Sequence, residues 1–382
     1  MNGRADDRAD RPAHGPRDGP PGRPPGSTAS GAGRRRWRTR RLVAAAVVGT
    51  LLAAGAAGAG LYLRLNSNID QVDISGGGRP ENTDNGSLDL LVLGSDARSG
   101  RAGRDAGGQA RSDTAMVVHL HRDRDTATVV SIPRDTLLPR PACTDREGRK
   151  VPAADRAMFN EAYALGGPVC AVRTVEAATG IRMDHYLEID FKGFATLVDK
   201  LGGVTVTLDG PLHDEDSKLH LAAGTHHLDG EQSLALVRTR KAVGDGSDLA
   251  RIELQHVFIE ALAERVSGLD LFGSPKRLYE LASAATSAVT TDSDLASVAR
   301  LAGLGRTLRG LEPEDLQLIT LPVTTDPSAP NRVVPLEPQA GQVWDALRAD
   351  RRVPASALRG PVAGQEPSPE VSAVPEPGDA GE

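Results

Sequence analysis

At 382 residues, with 39% hydrophobic and 25% charged side chains, the chain holds enough apolar material for one large domain or two modest ones. Residues 1–41 carry 11 Arg against four Asp, a surplus of +7, and the remaining 34 basic and 47 acidic residues give −13. That asymmetry excludes a diffuse basic surface for nucleic acid; any anionic ligand must be met by a few Arg gathered at one place.

Residues 1–41 are rich in Pro, Gly, Asp and Arg and are predicted to be a disordered basic arm, because they have too little apolar surface to bury. The arm ends in Arg34, Arg35, Arg36, Arg38, Arg40 and Arg41. Residues 42–63 follow without a single charge and are long enough to cross a hydrocarbon core of about 30 Å, which predicts a transmembrane signal-anchor helix. The basic cluster on its N-terminal side places the arm in the cytoplasm and the rest of the chain outside the cell membrane. A cleaved signal peptide is the alternative, since Ala57-Gly58-Ala59 has the form of a processing site; both readings export the remainder.

Residues 64–87, with Gly76-Gly77-Gly78 and Asp84-Asn85-Gly86, are expected to be a spacer. Patterned structure fills 88–352. Strands are predicted at 88–93, 114–121 and 126–132, the last two forming a hairpin. Helices follow at 155–166 and at 168–179, the second closed by Gly180; then a strand at 185–189, a helix at 191–201 ended by Gly202-Gly203, and a strand at 204–208. Asp229 with Gln232 forms a capping box for a short helix reaching about Val237. A long helix over 248–266 carries Leu249, Ile252, His256, Ile259, Ala263 and Val266 on one stripe. A strand at 318–323 and a helix at 342–347 complete the domain, and residues 353–382 are expected to be a disordered Pro/Glu-rich tail. The alternation predicts an α/β (α+β) layered domain. The two cysteines, Cys143 and Cys170, are predicted to form a disulfide in the exported domain.

Polar residues interrupt the apolar pattern at the ends of these elements. Gly94-Ser95-Asp96-Ala97-Arg98 follows one buried strand, and Arg111-Ser112-Asp113-Thr114 precedes the next. From spacing alone, Asp96 and Asp113 are most simply two solvated loop aspartates, with joint ligation of one hard cation such as Mg²⁺ as the alternative. Ile132-Pro133-Arg134-Asp135 ends another strand, Arg238 and Arg240 stand two residues apart, and Arg251 and Gln255 are neighbours on the long helix, off its apolar stripe. Singly, each Arg fits a surface residue or a structural ion pair; gathered on an acidic domain, they suit a planar, bidentate grip on phosphate or pyrophosphate.

The ordered series of blocks resembles the LytR-CpsA-Psr family: Leu-Val-Leu-Gly-Ser-Asp at 91–96, Arg-Ser-Asp-Thr at 111–114, Val-Ser-Ile-Pro-Arg-Asp-Thr at 130–136, Asn-Glu-Ala-Tyr at 160–163, Asp-His-Tyr at 184–186, Leu-Val-Asp-Lys-Leu-Gly-Gly-Val at 197–204, Val-Arg-Thr-Arg at 237–240 and Asp-Leu-Ala-Arg-Ile-Glu-Leu-Gln at 248–255. The resemblance implies a central mixed β-sheet flanked by helices, and a phosphotransferase that moves an anionic glycopolymer from a membrane-embedded polyprenyl-pyrophosphate carrier to peptidoglycan. It also implies Mg²⁺, with Mn²⁺ as a substitute, on Asp96 and Asp113, and pyrophosphate on Arg98, Arg111, Arg134, Arg238, Arg240 and Arg251 with Gln255 beside them. Asp96, Asp113 and Arg134 are the implied catalytic residues, and no residue is singled out as general base. The polyprenyl tail is expected in an apolar tunnel, for which the 249–266 stripe and Phe191, Phe194, Leu197 and Val198 are candidates, ordinary core being the other reading. A pyrophosphatase using water as acceptor and a non-catalytic wall-assembly protein are the rival functions; no helix-turn-helix pattern supports a transcriptional regulator.

Overall fold

The structure, a computed structural model, describes residues 32–76, 79–81, 85–96, 112–145, 147–239, 248–269 and 274–358, with side chains from residue 44 onward. Residues up to Ala59 and those from Gly60 onward form two separate units. The eight helices among the described residues are α1 (Ala32–Asn66), α2 (Phe159–Thr179), α3 (Phe191–Leu201), α4 (Gly230–Arg238), α5 (Asp248–Ser267), α6 (Pro275–Ala288), α7 (Val298–Arg309) and α8 (Gln339–Arg348). Helix α1 contains the one described segment long and apolar enough to cross a membrane, Ala44–Asn66, and none of that span is buried in protein. The helix begins at Ala32, ten residues before the apolar run, so the basic cluster expected in an unfolded arm is helical. Arg is a good helix former, and extending an existing helix is cheap once the apolar run has nucleated it.

The unit from Gly60 is built on a seven-stranded sheet whose strands are β1 (Asp70–Val72), β2 (Leu88–Ser95), β3 (Ser112–Leu120), β4 (Ala127–Ser131), β5 (His185–Asp190), β6 (Val289–Asp292) and β7 (Leu316–Thr320). Their order is β1-β6-β5-β2-β3-β4-β7. The pairs β1/β6, β5/β2 and β4/β7 are parallel and the others antiparallel, which gives the expected mixed sheet. Alternation along the strands separates two faces. Leu91, Leu93, Ala115, Val117, Val130, Tyr186 and Ile319 pack with Phe159 and Val175 of α2 and Trp344 and Leu347 of α8 in the main core. Leu90 and Leu120 belong to a smaller cluster with Leu311, against which Val92, Val118 and Leu304 pack. A third core joins Val198, Val204, Leu228, Leu236 and Phe258 beneath the hairpin of Val204–Leu208 and Gly224–Leu228.

Several boundaries differ from the sequence reading. The segment expected as a spacer supplies the edge strand β1 and buries Ile69 and Ile74. Residues 154–158 are a strand paired with 137–140, so the first helix starts only at Phe159. The two expected helices are one element interrupted at Gly167, where φ 65° and ψ −154° precede Pro168. Pro has no N–H to continue the ladder, and only Gly adopts that backbone without strain. The expected tail begins folded: Val353 exchanges hydrogen bonds with Gln317 (2.8 and 2.9 Å) and Ala357 is fully buried; residues from 359 on lie outside the described set. The capping box at Asp229 and Gln232 and the left-handed caps at Gly180 and Gly202 are as expected.

Cys143 and Cys170 are bonded, with Cα atoms 5.4 Å apart, and join the segment after Pro141 to α2. The bridge closes a loop of sequence separation 27. Replacing both residues by Ser is expected to lower stability by about 3 kcal/mol through restored chain entropy, measured by denaturant unfolding of parent and variant.

His256 of α5 faces Ser131 Oγ at 3.0 Å, and burial pushes its pKa down from 6.5 to about 4. The native state therefore refuses a proton that the unfolded chain accepts below about pH 6.5, so this contribution is complete above that pH and is lost as pH falls toward 4. The loss should reach at most about 3 kcal/mol. His256→Gln, which keeps a polar partner for Ser131 but does not titrate, is expected to flatten stability over that window; an unchanged pH profile of unfolding free energy would contradict the assignment.

Candidate active site

The adjacent ends of β2, β3 and β4 supply the site. Strands β2 and β3 pair Gly94 with Thr114 but Ser95 with Ser112, so Asp113 is the extra residue of a β-bulge. A bulge leaves its extra residue out of the ladder and re-aims the side chain. Asp96 is the first residue beyond β2 and is exposed, one position past the Ser95–Ser112 pair. Both implied metal-binding aspartates thus stand at one sheet end. Their donors are oxygen only, which suits a hard cation such as Mg²⁺ better than a thiophilic one.

Arg134 sits in the tight turn after β4, where the N–H of Thr136 reaches the carbonyl of Pro133 at 3.0 Å. Its guanidinium Nη1 donates to Asp113 Oδ1 at 3.1 Å, and its Nε lies 3.5 Å from Asp135 Oδ2 and 3.7 Å from Asp248 Oδ1. Its backbone is held from both sides: the N–H donates to Asp248 Oδ2 at 3.0 Å, and the carbonyl accepts from the N–H of Asn160 in the first turn of α2 at 3.1 Å.

Arg251 and Gln255, one turn apart on α5, are not surface neighbours but are 2% and 3% exposed. Arg251 Nη2 donates to the backbone carbonyl of Asp113 at 2.7 Å and pairs with Asp248 three residues earlier. Gln255 Nε2 donates to Thr114 Oγ1 at 2.9 Å and to the carbonyl of Val237 at 3.0 Å. Helix α5 is thereby fixed against the bulged strand and the end of α4. Arg238, the last residue of α4, is exposed and lays its guanidinium over the Phe191 ring, 4.6 Å from the centroid, a cation–π contact that leaves its N–H edges open. Arg98, Arg111 and Arg240 lie outside the described residues.

Two contributors escaped the sequence reading. Asp248, which the pattern marks as a helix start, joins Arg134 to Arg251; its sequence signal for that role is the i, i+3 spacing to Arg251. Beneath the site, Ser95 Oγ lies 3.2 Å from Tyr163 Oη, which donates to Glu188 Oε1 at 2.7 Å, while Tyr186 Oη donates to Glu188 Oε2 at 2.6 Å. This fully buried network ties the end of β2 to α2 and β5.

The face of the sheet opposite α2 and α8 is not filled. Between it and α3, α5 and α7 lies an apolar cavity of about 470 Å³. Along β3 its lining runs from Leu120 to Thr114, a span of seven residues or about 20 Å of strand. Gly94, Thr114, Gln255 and Phe191 line its end beside the charged cluster. Phe194, Ile259, Ala263 and Val266 also line it, whereas Leu197 does not and Val198 belongs to the third core. Ile252 is ordinary core and Leu249 packs on the main core, so the α5 stripe divides: its first turns pack and its last turns line the cavity.

The LytR_cpsA_psr family model matches residues 62–349. A protein named "Probable cell wall biosynthesis protein LcpB" from Corynebacterium glutamicum is 33% identical over 297 residues, covering 74% of this chain and 67% of the relative. The polyisoprenyl-teichoic acid–peptidoglycan teichoic acid transferase TagT of Bacillus subtilis is 33% identical over 256 residues, covering 62% of this chain and 74% of the relative. A solved structure described as TagT bound to LIIa-WTA superposes with a TM-score of 0.53 at 26% identity, over 73% of this chain and 99% of that one. By the family match and these relatives, the chain belongs to the LytR-CpsA-Psr family.

Proposed function

We propose that this protein is a phosphotransferase that moves an anionic glycopolymer from a polyprenyl-pyrophosphate carrier to a hydroxyl of peptidoglycan on the outer side of the cell membrane. The observation that carries the reading is one cluster of Asp and Arg opening on the end of a long apolar cavity. Tightly packed interiors leave few voids larger than a water, and about 470 Å³ falls within the range of about 300–1000 Å³ typical of ligand pockets. A donor that joins a hydrocarbon tail to a pyrophosphate matches both halves. The transferase name of the TagT relative and the bound state of its solved structure support the same class of donor and acceptor. The basic N-terminal side of the membrane-spanning segment and the disulfide favour an anchored domain outside the cytoplasm.

In this reading the acceptor oxygen bonds to the phosphorus nearest the glycan, the bond from that phosphorus to the bridging oxygen breaks, and polyprenyl monophosphate leaves with the electron pair. The acceptor proton passes to solvent or to a carboxylate of the site. Mg²⁺, or Mn²⁺ in its place, would be held by Asp96 and Asp113 and would supply neutralisation of the negative charge on the pyrophosphate. Arg134 and Arg238 offer N–H edges to the phosphate oxygens, and the family resemblance assigns the same role to Arg98, Arg111 and Arg240. Arg251 and Gln255 hold the bulge and α5 in register, so that Asp113 and Arg134 keep their places.

Transfer from a polyprenyl-pyrophosphate glycan to peptidoglycan, followed by mass spectrometry of the linkage, tests the reading directly. A phosphodiester-linked glycan is the expected product; release of free phosphorylated glycan at the same rate without acceptor would instead favour the hydrolase. Arg134→Lys should lower the transfer rate roughly 30-fold to a thousandfold, the equivalent of about 2–4 kcal/mol of lost charge-assisted contact, without rescue by added Mg²⁺. Asp113→Asn should be partly rescued by raising Mg²⁺. Ile259→Trp, which fills the cavity from α5, should slow transfer from long-chain donors while leaving short-chain donors little affected; equal losses on both would detach the cavity from the lipid.

A further inference from the structure

At the end of the sheet away from the Asp/Arg cluster, His119, His121 and Asp350 bring three potential metal-ligating atoms within 4.8 Å of one another. His119 is 0% and His121 7% exposed, and the Asp350 side chain is 6% exposed. His119 Nε2 lies 3.2 Å and His121 Nδ1 3.1 Å from the same oxygen, Asp350 Oδ1. The second nitrogen of each ring has its own partner: His119 Nδ1 is 2.7 Å from Asp89 Oδ1, and His121 Nε2 is 3.3 Å from Thr128 Oγ1. Each imidazole is therefore oriented from behind by an oxygen while its other nitrogen faces the common point at Asp350, the arrangement in which histidine ligands are usually held. A tetrahedral centre with bonds of about 2.0–2.1 Å places neighbouring ligand atoms about 3.3–3.4 Å apart, close to both separations.

The fold builds the group from distant sequence. His119 and His121 are two apart, so they share a side of the strand end while Leu120 between them turns into apolar packing. Asp89 is the cross-strand partner of His119 on β2, and Thr128 its partner on β4. Asp350 follows α8 with φ 51°, a left-handed conformation that Asp tolerates and that ends the helix; Arg122 Nε, 3.2 Å from Oδ2, engages the other oxygen. A second trio, His213, Glu215 and His220, contrasts with it. There His213 faces Glu215 through Nε2 and His220 through Nδ1, opposite edges of one ring, with no partner among the described residues behind the ring to orient it, and all three residues are exposed.

We propose that His119, His121 and Asp350 bind one divalent cation of the Zn²⁺ class, with Asp89 and Thr128 as positioning residues, and that the ion ties the segment after α8 to the β3–β4 hairpin. Two imidazoles and one carboxylate suit Zn²⁺ and its first-row neighbours rather than Mg²⁺. The site is separate from Asp96 and Asp113 and has a structural role.

The test uses the full chain in detergent, stripped of metal, and titrates Zn²⁺ against a competing chromogenic chelator, with Co²⁺ absorption as a report on coordination. One tight equivalent is expected, accompanied by a rise in melting temperature. His121→Ala and Asp350→Asn, each confirmed as folded by circular dichroism, should abolish that equivalent and the stabilisation. Asp89→Asn should weaken binding about 10- to 100-fold, and His213→Ala should leave it unchanged. Failure of the folded parent chain to bind Zn²⁺ would overturn the proposal. Binding that survives both ligand variants, or that is lost with His213→Ala, would overturn it equally.

Discussion

A guanidinium 2% exposed is the constraint around which the charged site is organised. Arg251 projects from α5 into protein rather than water, and a buried cation left without an opposite charge costs about 3–5 kcal/mol. Asp248, at the start of the same helix, supplies that charge, and the Asp113 carbonyl accepts a further hydrogen bond at 2.7 Å. The carbonyl is available because the bulge has taken residue 113 out of the β2/β3 ladder. Asp248 in turn receives the N–H of Arg134, whose guanidinium reaches Asp113. A single buried charge thus fixes the start of α5, the turn after β4 and the bulged end of β3 in one arrangement.

The same sheet presents two unlike faces. Against α2 and α8 it is packed in the usual manner, with Leu91, Leu93, Val117 and Phe159 fully buried. Against α3, α5 and α7, residues of equal hydrophobicity, such as Val92, Met116 and Ile259, line space instead of filling it. Hydrocarbon is the ligand chemistry such a surface accepts at least cost, since burying a polar group there without a partner is unfavourable. Gln255 stands where the two environments meet: its amide is bonded to Thr114 and Val237, and the rest of the side chain borders the cavity. The proposal of a donor half apolar and half anionic rests on that junction more than on either part alone.

Much of this was legible in the sequence. Strand and helix alternation, the caps at Gly180, Gly202 and Asp229, the charge-free segment and the cysteine pair depend on neighbouring residues or on composition, and local patterning reports such features well. The block resemblance groups Asp96, Asp113, Arg134, Arg238, Arg251 and Gln255 in one site. Asp70–Val72 and Ala154–Met158 were missed because too few residues alternate to show a period, and pairing across the fold creates them.

The sequence by itself determined which residues are apolar, which residues cap helices at Gly180, Gly202 and Asp229, and which charged side chains sit at element ends, because those properties are carried by a residue and its near neighbours. Tertiary structure alone decided that Arg251 and Gln255 are buried, that Asp113 is the bulged residue, that Asp248 joins two arginines, and that the last turns of α5 line a cavity while the first turns pack. It alone brought His119 and Asp350, 231 positions apart, within 3.2 Å. Each of these is a relation between segments far apart in the chain, and no local periodicity encodes the distance between them.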